Sequence, residues 1–439
     1  MYNCGPTVYN FAHIGNLRAY VFADVLRRTL EYNGYVVKQV MNITDVGEPT
    51  SDESEDKMAK GLRREGKPQT LEAMKELGEF YATAFVSDLK SLNIKIPDLM
   101  PRASNHIGED LELIKILLGK KFAYKTSDAI YFDVSQFTNY GKLGNVNLDG
   151  QIAGARVQVN PTKRNAFDFA LWKFSSGPIG WDSEWGRGFP GWHIECSAMS
   201  RRYLGQPFDI HTGGVDHIPI HHNNEIAQSE SAYGVPLANY WIHNEHLKFG
   251  GEKVAKSVGN VLYLKDLYNK GISPLSFRYF LLTASYRAPI DYNESAVKNG
   301  SVTSLENIYK SLARIPTIGK INPVYADNFL NSINRDLNTA EGLSLLHLLL
   351  ADTTVAPEDK LATCLDFDRV LGLDFENGRK NFLSDSDFVL PDEVRNLIVE
   401  RDKARANKEW QKSDDLRKKI IALGFEVVDS ESSSSVKKV

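Results

Sequence analysis

Apolar positions set the outline of this chain before any single residue does. In NLRAYVFADVLRRTLEYNG, starting at Asn16, the residues Val21, Phe22, Val25, Leu26 and Leu30 fall on one face at helical spacing, and Gly34 supplies a stop. YVVKQVMNIT follows as a largely apolar strand, so the start of the chain predicts a β-α-β unit. That unit brings the end of the first strand, the helix N-terminus and Thr44 to one edge of a parallel sheet. A polar, charged connection spans 47–70, and helical patterns cover about 71–92 and 105–119. From Phe122 to about Pro190 short runs of strand character, AIYFDV among them, alternate with Gly and Pro and read as an insertion into the sheet. A helix after Pro190, the short strand FDIHTGG, a second helix and the strand-like NYWIHNEHLKF form the sheet's second half. Beyond Asp266 the spacing turns helical, and the segment from Pro391 to Ser430 reads as a charged helix pair followed by a small strand.

Composition narrows the function class. A length of 439 residues suggests roughly three domains at about 150 residues each. Basic and acidic residues number 52 and 56, for a net charge of −4, so no global basic field advertises nucleic acid and any RNA surface must be local. No apolar run approaches the ~18 residues of a membrane span, and no membrane partner is expected. The cysteines are Cys4, Cys196 and Cys364, with no CxxC pair. This argues against a disulfide framework or a zinc ribbon and for a reducing, cytoplasmic setting.

Candidate chemistry is concentrated in one stretch. Seven of the ten histidines fall between His193 and His246. Trp192 and Cys196 stand one turn apart on the expected helix after Pro190, and His221 and Glu225 stand at i and i+4 on the next. A His/Glu pair at that spacing is common on solvated helices. A thiol, an imidazole and a carboxylate offered together nevertheless suit a zinc ion. Gly213 and Gly214 end a strand, with Asp216 placed to accept from ribose hydroxyls. His13 stands at a helix N-terminus, whose free N–H groups favour phosphate. Lys253 and Lys256 sit three apart in a glycine-flanked loop able to close over a triphosphate.

These residues, in this order, resemble one family. Cys4-Gly5-Pro6-Thr7-Val8-Tyr9 leading into His13-Ile14-Gly15-Asn16, then Asn42-Ile43-Thr44-Asp45, Gly191-Trp192-His193-Ile194-Glu195-Cys196-Ser197, His221-His222-Asn223-Asn224-Glu225 and Lys253-Val254-Ala255-Lys256-Ser257 are similar to the cysteinyl-tRNA synthetases of class I, through to about Asp429. Two motifs depart from the class pattern: HIGH ends here in Asn16, and KMSKS reads KVAKS. Only Met1, Tyr2 and Asn3 precede Cys4, a short N-terminus that leaves native and truncated origins open.

The resemblance implies an α/β fold: a Rossmann-type parallel-sheet catalytic domain split by an insertion, then an all-α bundle and a small α+β C-terminal region. Its expected division is 1–120 and 191–247 for the two halves of the catalytic domain, with 121–190 as the insertion. Residues 248–298 would form the KMSKS-type loop and stem-contact region and 299–385 a helical tRNA-binding bundle. A basic anticodon-region module would follow at 386–429, and a disordered tail at 430–439. The implied activity is ATP-dependent joining of L-cysteine to tRNA(Cys) by a monomer, with ATP and Mg²⁺ as substrate and one Zn²⁺ per chain. The implied zinc ligands are Cys4, Cys196, His221 and Glu225. Gly5, Thr7, Thr44 and Trp192 would meet the substrate cysteine. ATP would fall to His13, Gly15, Asn16, Gly213, Gly214, Asp216, Lys253 and Lys256, with His13, Asn16 and the two lysines catalytic. Arg405, Trp410 and Arg417 would meet tRNA. Two other readings share parts of this pattern: a ligase joining cysteine to an amino sugar, and an impaired paralogue that binds RNA or cysteine.

Overall fold

The computed structural model describes residues 1–48, 56–146, 160–175, 177–253, 261–386, 392–407, 409–429 and 434–438. The chain divides into two compact units, Met1–Phe375 and Glu376–Val439. In the first unit, strand β1 (Tyr2–Asn3) leads through Cys4–Ala12 into a helix, Ile14–Tyr32, and back to β2 (Val40–Met41). Antiparallel strands β3 (Ala123–Lys125), β4 (Ala129–Phe132), β5 (Phe169–Phe174) and β6 (Gly188–Pro190) then form a sheet of their own. The helix Ile194–Leu204, strand β7 (Phe208–Gly214), the helix Asn223–Tyr233 and strand β8 (Ala238–Asn244) complete the central part.

The central sheet has the order β2-β1-β7-β8, and all its neighbours run parallel. Its register sets Tyr2 against both Val40 and His211, and Asn3 against both Met41 and Thr212. The strand order therefore joins the first crossover to the second, and Cys4 lies just beyond the carboxyl end of β1 beside the glycines that end β7. Crevices of this kind are where open α/β sheets bind ligands.

Burial follows the apolar spacing. Ile14, Leu17, Val21 and Val25 enter a core with Tyr2, Val40, Met41, Ile43, Leu77 and Phe85, while Phe22 and Leu26 pack with Met1 and Tyr286. The inserted sheet has its own core, with Ile130, Phe132, Leu171 and Trp172 packed beneath Leu113, Ile114 and Leu117 of the helix Ile107–Gly119. Gly5 is required by close approach: a Cβ there would lie 1.6 Å from the carbonyl oxygen of Asn42.

Three local expectations are revised. Residues 47–70 contain a helix, Lys57–Arg64, with Asp56 as its N-cap; only Met58, Gly61 and Leu62 are buried, too few to give an apolar period. Trp192 precedes the helix that carries Cys196, because β6 runs to Pro190 and the helix starts at Ile194. Ser434–Lys438, part of the expected disordered tail, is a strand paired antiparallel with Phe425–Asp429, whose edge supplies its hydrogen bonds; residues 430–433 lie outside the described residues.

The second unit holds the helices Asp392–Ala406 and Trp410–Ala422, packed with the strand Phe425–Asp429 around Val394, Ile420 and Phe425. No described helix is long and apolar enough to cross a membrane.

Candidate active site

Four elements deliver the donors seen in the sequence. Cys4 leaves the end of β1, and Cys196 sits in the first turn of the helix Ile194–Leu204. His221 lies in a π-helical turn, Ile218–His222, and Glu225 in the first turn of the helix that continues from it. One ligand atom from each of Cys4, Cys196, His221 and Glu225 lies within 4.8 Å of the others. A tetrahedral zinc ion with N, O and S ligands about 2.0–2.3 Å away suits donors this close, and thiol, imidazole and carboxylate are the types it takes. Cys4, His211, His222 and Glu225 make a second group of the same kind, sharing two members with the first.

The polar contacts explain how so many titratable groups share a buried space. Glu225 accepts from His211 Nε2 at 2.8 Å through Oε2 and from His221 Nε2 at 3.0 Å through Oε1. His221 Nδ1 lies 2.9 Å from Nδ1 of His193, and His222 links Cys4 Sγ at 3.4 Å to His243 Nε2 at 2.7 Å. Burial alone would raise Glu225, but the His211 and His221 imidazoles outweigh it and hold the carboxyl at about 2. Burial likewise opposes charge on His221, yet Glu225 and Cys4 carry it well above an ordinary imidazole. Burial would raise the Cys4 thiol as well; the hydrogen bond from Cys196 and the fields of His222 and His221 bring it well below the usual range. Burial and the bond to Cys4 push Cys196 the other way. Of the two thiols Cys4 is thus the more readily ionised, and the thiolate is the form that binds metal. Among the described residues His211 Nδ1 and His217 Nδ1 have no hydrogen-bond partner.

Aromatic rings and hydroxyls line the neighbouring space. The Trp192 ring lies 4.6 Å from that of His221, and Trp241 stacks on His211 at 4.6 Å. Thr7 and Thr44 form a parallel bridge. The Thr44 hydroxyl donates to Glu195 at 2.6 Å, that of Thr7 to Glu48, and the Gly5 N–H to Asn42 at 2.8 Å.

At the helix N-terminus His13 and Asn16 form a capping box. The Asn16 N–H donates to His13 Nδ1, and the His13 N–H to Asn16 Oδ1, each at 3.2 Å. A neutral His13 ring therefore carries its proton on Nε2, and Asn16 keeps its NH₂ as a donor. Residues 262–263 return beside this cap, since the Ile14 N–H donates to the Leu262 carbonyl at 2.9 Å. At Gly213 a Cβ would meet His217 and His222 at 2.7 and 2.8 Å, so that glycine admits the imidazoles. Asp216 is half exposed, 4.0 Å from His246.

The backbone of Lys253 ends a short strand, Glu252–Lys253, and Lys256 lies outside the described residues. Half-buried Arg405 and exposed Trp410 and Arg417 belong to the second unit. Sequence reasoning passed over His193, His222 and Glu195 as individual groups. The clustering of histidines in one stretch was the available signal.

Residues 1–302 match the family model for the class I (C) tRNA synthetase catalytic domain. The chain is 40% identical to a cysteine–tRNA ligase of Treponema denticola, covering 100% of this chain and 95% of that protein. It is 44% identical to cysteine–tRNA ligase 1 of Burkholderia lata, over 98% of this chain and 90% of that one. The crystal structure of Mycobacterium tuberculosis methionyl-tRNA synthetase bound by methionyl-adenylate aligns with a TM-score of 0.58 at 16% identity, covering 85% of this chain and 90% of that chain, a likeness of fold.

Proposed function

The chain belongs to the cysteine–tRNA ligases of class I, and from that premise we propose how its own residues activate cysteine and pass it to tRNA. In the first step the cysteine carboxylate attacks the α-phosphate of ATP, giving cysteinyl-adenylate and releasing pyrophosphate. In the second, the terminal ribose hydroxyl of tRNA takes the acyl group and AMP leaves. Neither step needs a side-chain nucleophile, so the protein's work is to position reactants and stabilise charge.

His13 and the NH₂ of Asn16 stand at the positive end of the helix Ile14–Tyr32, whose dipole favours phosphate oxygens. Asn16 would give a neutral hydrogen bond in place of a charge-assisted one, so activation is at most slowed and not abolished. Lys253 and Lys256 would offset charge on the phosphates. Gly213, Gly214 and Asp216 would take the nucleoside, and Arg405, Trp410 and Arg417 would meet the tRNA.

Cys4, Cys196, His221 and Glu225 would hold zinc, which supplies a soft contact for a substrate thiolate that a serine hydroxyl cannot match. That convergence of four donors on one buried point is the observation that carries the reading. Around it the histidine network fixes which atoms are protonated, and Gly5, Thr7, Thr44 and Trp192 would border the amino acid. We propose that the enzyme works as a monomer in the cytoplasm. Cysteine-dependent ATP–pyrophosphate exchange together with charging of a tRNA(Cys) transcript tests the reading. Both are expected. Exchange without charging would favour the amino-sugar ligase, and neither would favour a non-catalytic paralogue.

A further inference from the structure

Beside the donor cluster lies an ion pair that none of these steps has used. Glu48 is buried, and its two carboxylate oxygens are divided: Oε2 accepts from the Thr7 hydroxyl and Oε1 from the Lys57 ammonium. Lys57 is held in place twice, since its backbone N–H also donates to the Glu48 carbonyl at 2.9 Å. Its ammonium lies 6.0 Å from the centre of the Trp192 ring and 5.8 Å from that of Tyr9, within reach of both π-faces. The same Trp192 ring contacts His221 of the donor cluster at 4.6 Å.

One indole therefore lies beside His221 of the donor cluster and within cation–π reach of the Lys57 ammonium. Only the β-carbon separates a cysteine's sulfur from its α-carbon, so sulfur at the donor cluster keeps the charged end of the amino acid within the span of that ring. A zwitterion entering this space leaves water with one positive and one negative group, and each is costly unless matched. Glu48 and Lys57 supply one charge of each sign and neutralise one another when the substrate is absent. Lys57 has three N–H donors, and a carboxylate oxygen accepts more than one bond, so both partners have capacity to spare.

We propose that Glu48 binds the α-ammonium and Lys57 the α-carboxylate of the substrate amino acid. The inference rests on the reading of the neighbouring cluster as the sulfur site. It adds a requirement that sulfur recognition alone does not impose: the site selects a free zwitterion from among small thiols. Because the carboxylate is bound before it reacts, loss of Lys57 should act mainly on KM for cysteine and less on kcat.

The test measures inhibition of cysteine-dependent exchange by cysteamine, which lacks the carboxylate, and by 3-mercaptopropionate, which lacks the ammonium. In Lys57→Met, binding of cysteine and 3-mercaptopropionate should weaken about ten-fold, the loss of one charge-assisted contact, while cysteamine is held as before or more tightly. In Glu48→Gln, cysteine and cysteamine should weaken and 3-mercaptopropionate should not. Lys57→Arg should restore carboxylate binding. Ratios are taken within each variant, so a smaller folded fraction cancels. Equal weakening of all three thiols in both variants would overturn the assignment while leaving the sulfur site intact. If none of the three thiols competes or reacts in the unchanged protein, the sulfur site itself fails.

Discussion

Cys196→Ser is expected to reduce cysteine-dependent exchange by ~100-fold or more while leaving the fold in place, since replacing even the outer partners of metal ligands costs 10–100-fold. Cys196 is 1% exposed and packed in the main core, so an isosteric hydroxyl changes its chemistry with little change of volume. Serine offers a hard, weakly acidic oxygen where zinc favours a thiolate, so one of the four donors is lost. Its bond to Cys4 changes too, and that bond is the first influence that lowers the Cys4 thiol against burial. Elemental analysis should show bound zinc falling from about one ion per chain to a small fraction. Exchange within a few-fold of the unchanged protein, with zinc retained, would contradict the four-donor assignment.

Arg278→Ala should produce the largest loss of stability. Arg278 and Asp24 are fully buried and paired at 2.6 Å, and Asp24 also accepts from Arg28 at 2.8 Å. The guanidinium further donates to the carbonyls of Leu371 at 2.7 Å and Leu92 at 3.1 Å. It thereby ties the helix Ile14–Tyr32 to the helices Pro274–Leu282 and Pro357–Leu371. Truncation takes one of two cationic partners from a buried carboxylate, which keeps Arg28, and leaves two carbonyls without their donor; breaking a buried pair from one side costs up to about 3–5 kcal/mol. Urea unfolding measures this directly. A change below about 1 kcal/mol would show that the pair is not load-sharing in the folded state. The KM for cysteine of the folded fraction should barely move, because Arg278 belongs to the packing of the helices and not to the donor cluster.

How much of this was legible in the sequence differs from element to element. Cys196, His221 and Glu225 were visible because rare, metal-binding residue types crowd one stretch. Cys4 could be joined to them only through the family resemblance, since the parallel pairing of β1 with β7 brings it there from a distance of almost two hundred positions. The helix Lys57–Arg64 escaped notice because its buried residues are few and its remaining surface is charged, and Glu48 and Lys57 went unremarked with it. The roles of His211 and His222 depend on ring contacts across β7, β8 and a π-helical turn, which no linear spacing encodes. Trp192 reached the expected neighbourhood by another route: it sits before its helix, and its contact is with His221 from the next element.

The most direct test of sulfur recognition is the ratio of kcat/KM for cysteine to that for serine in pyrophosphate exchange. Apolar pockets separate near-isosteres by only ~10–200-fold, whereas sites built around one chemical group reach about 10⁴ or beyond. The account predicts a ratio above roughly 10⁴ for the zinc-loaded enzyme. A ratio within the apolar range would contradict it.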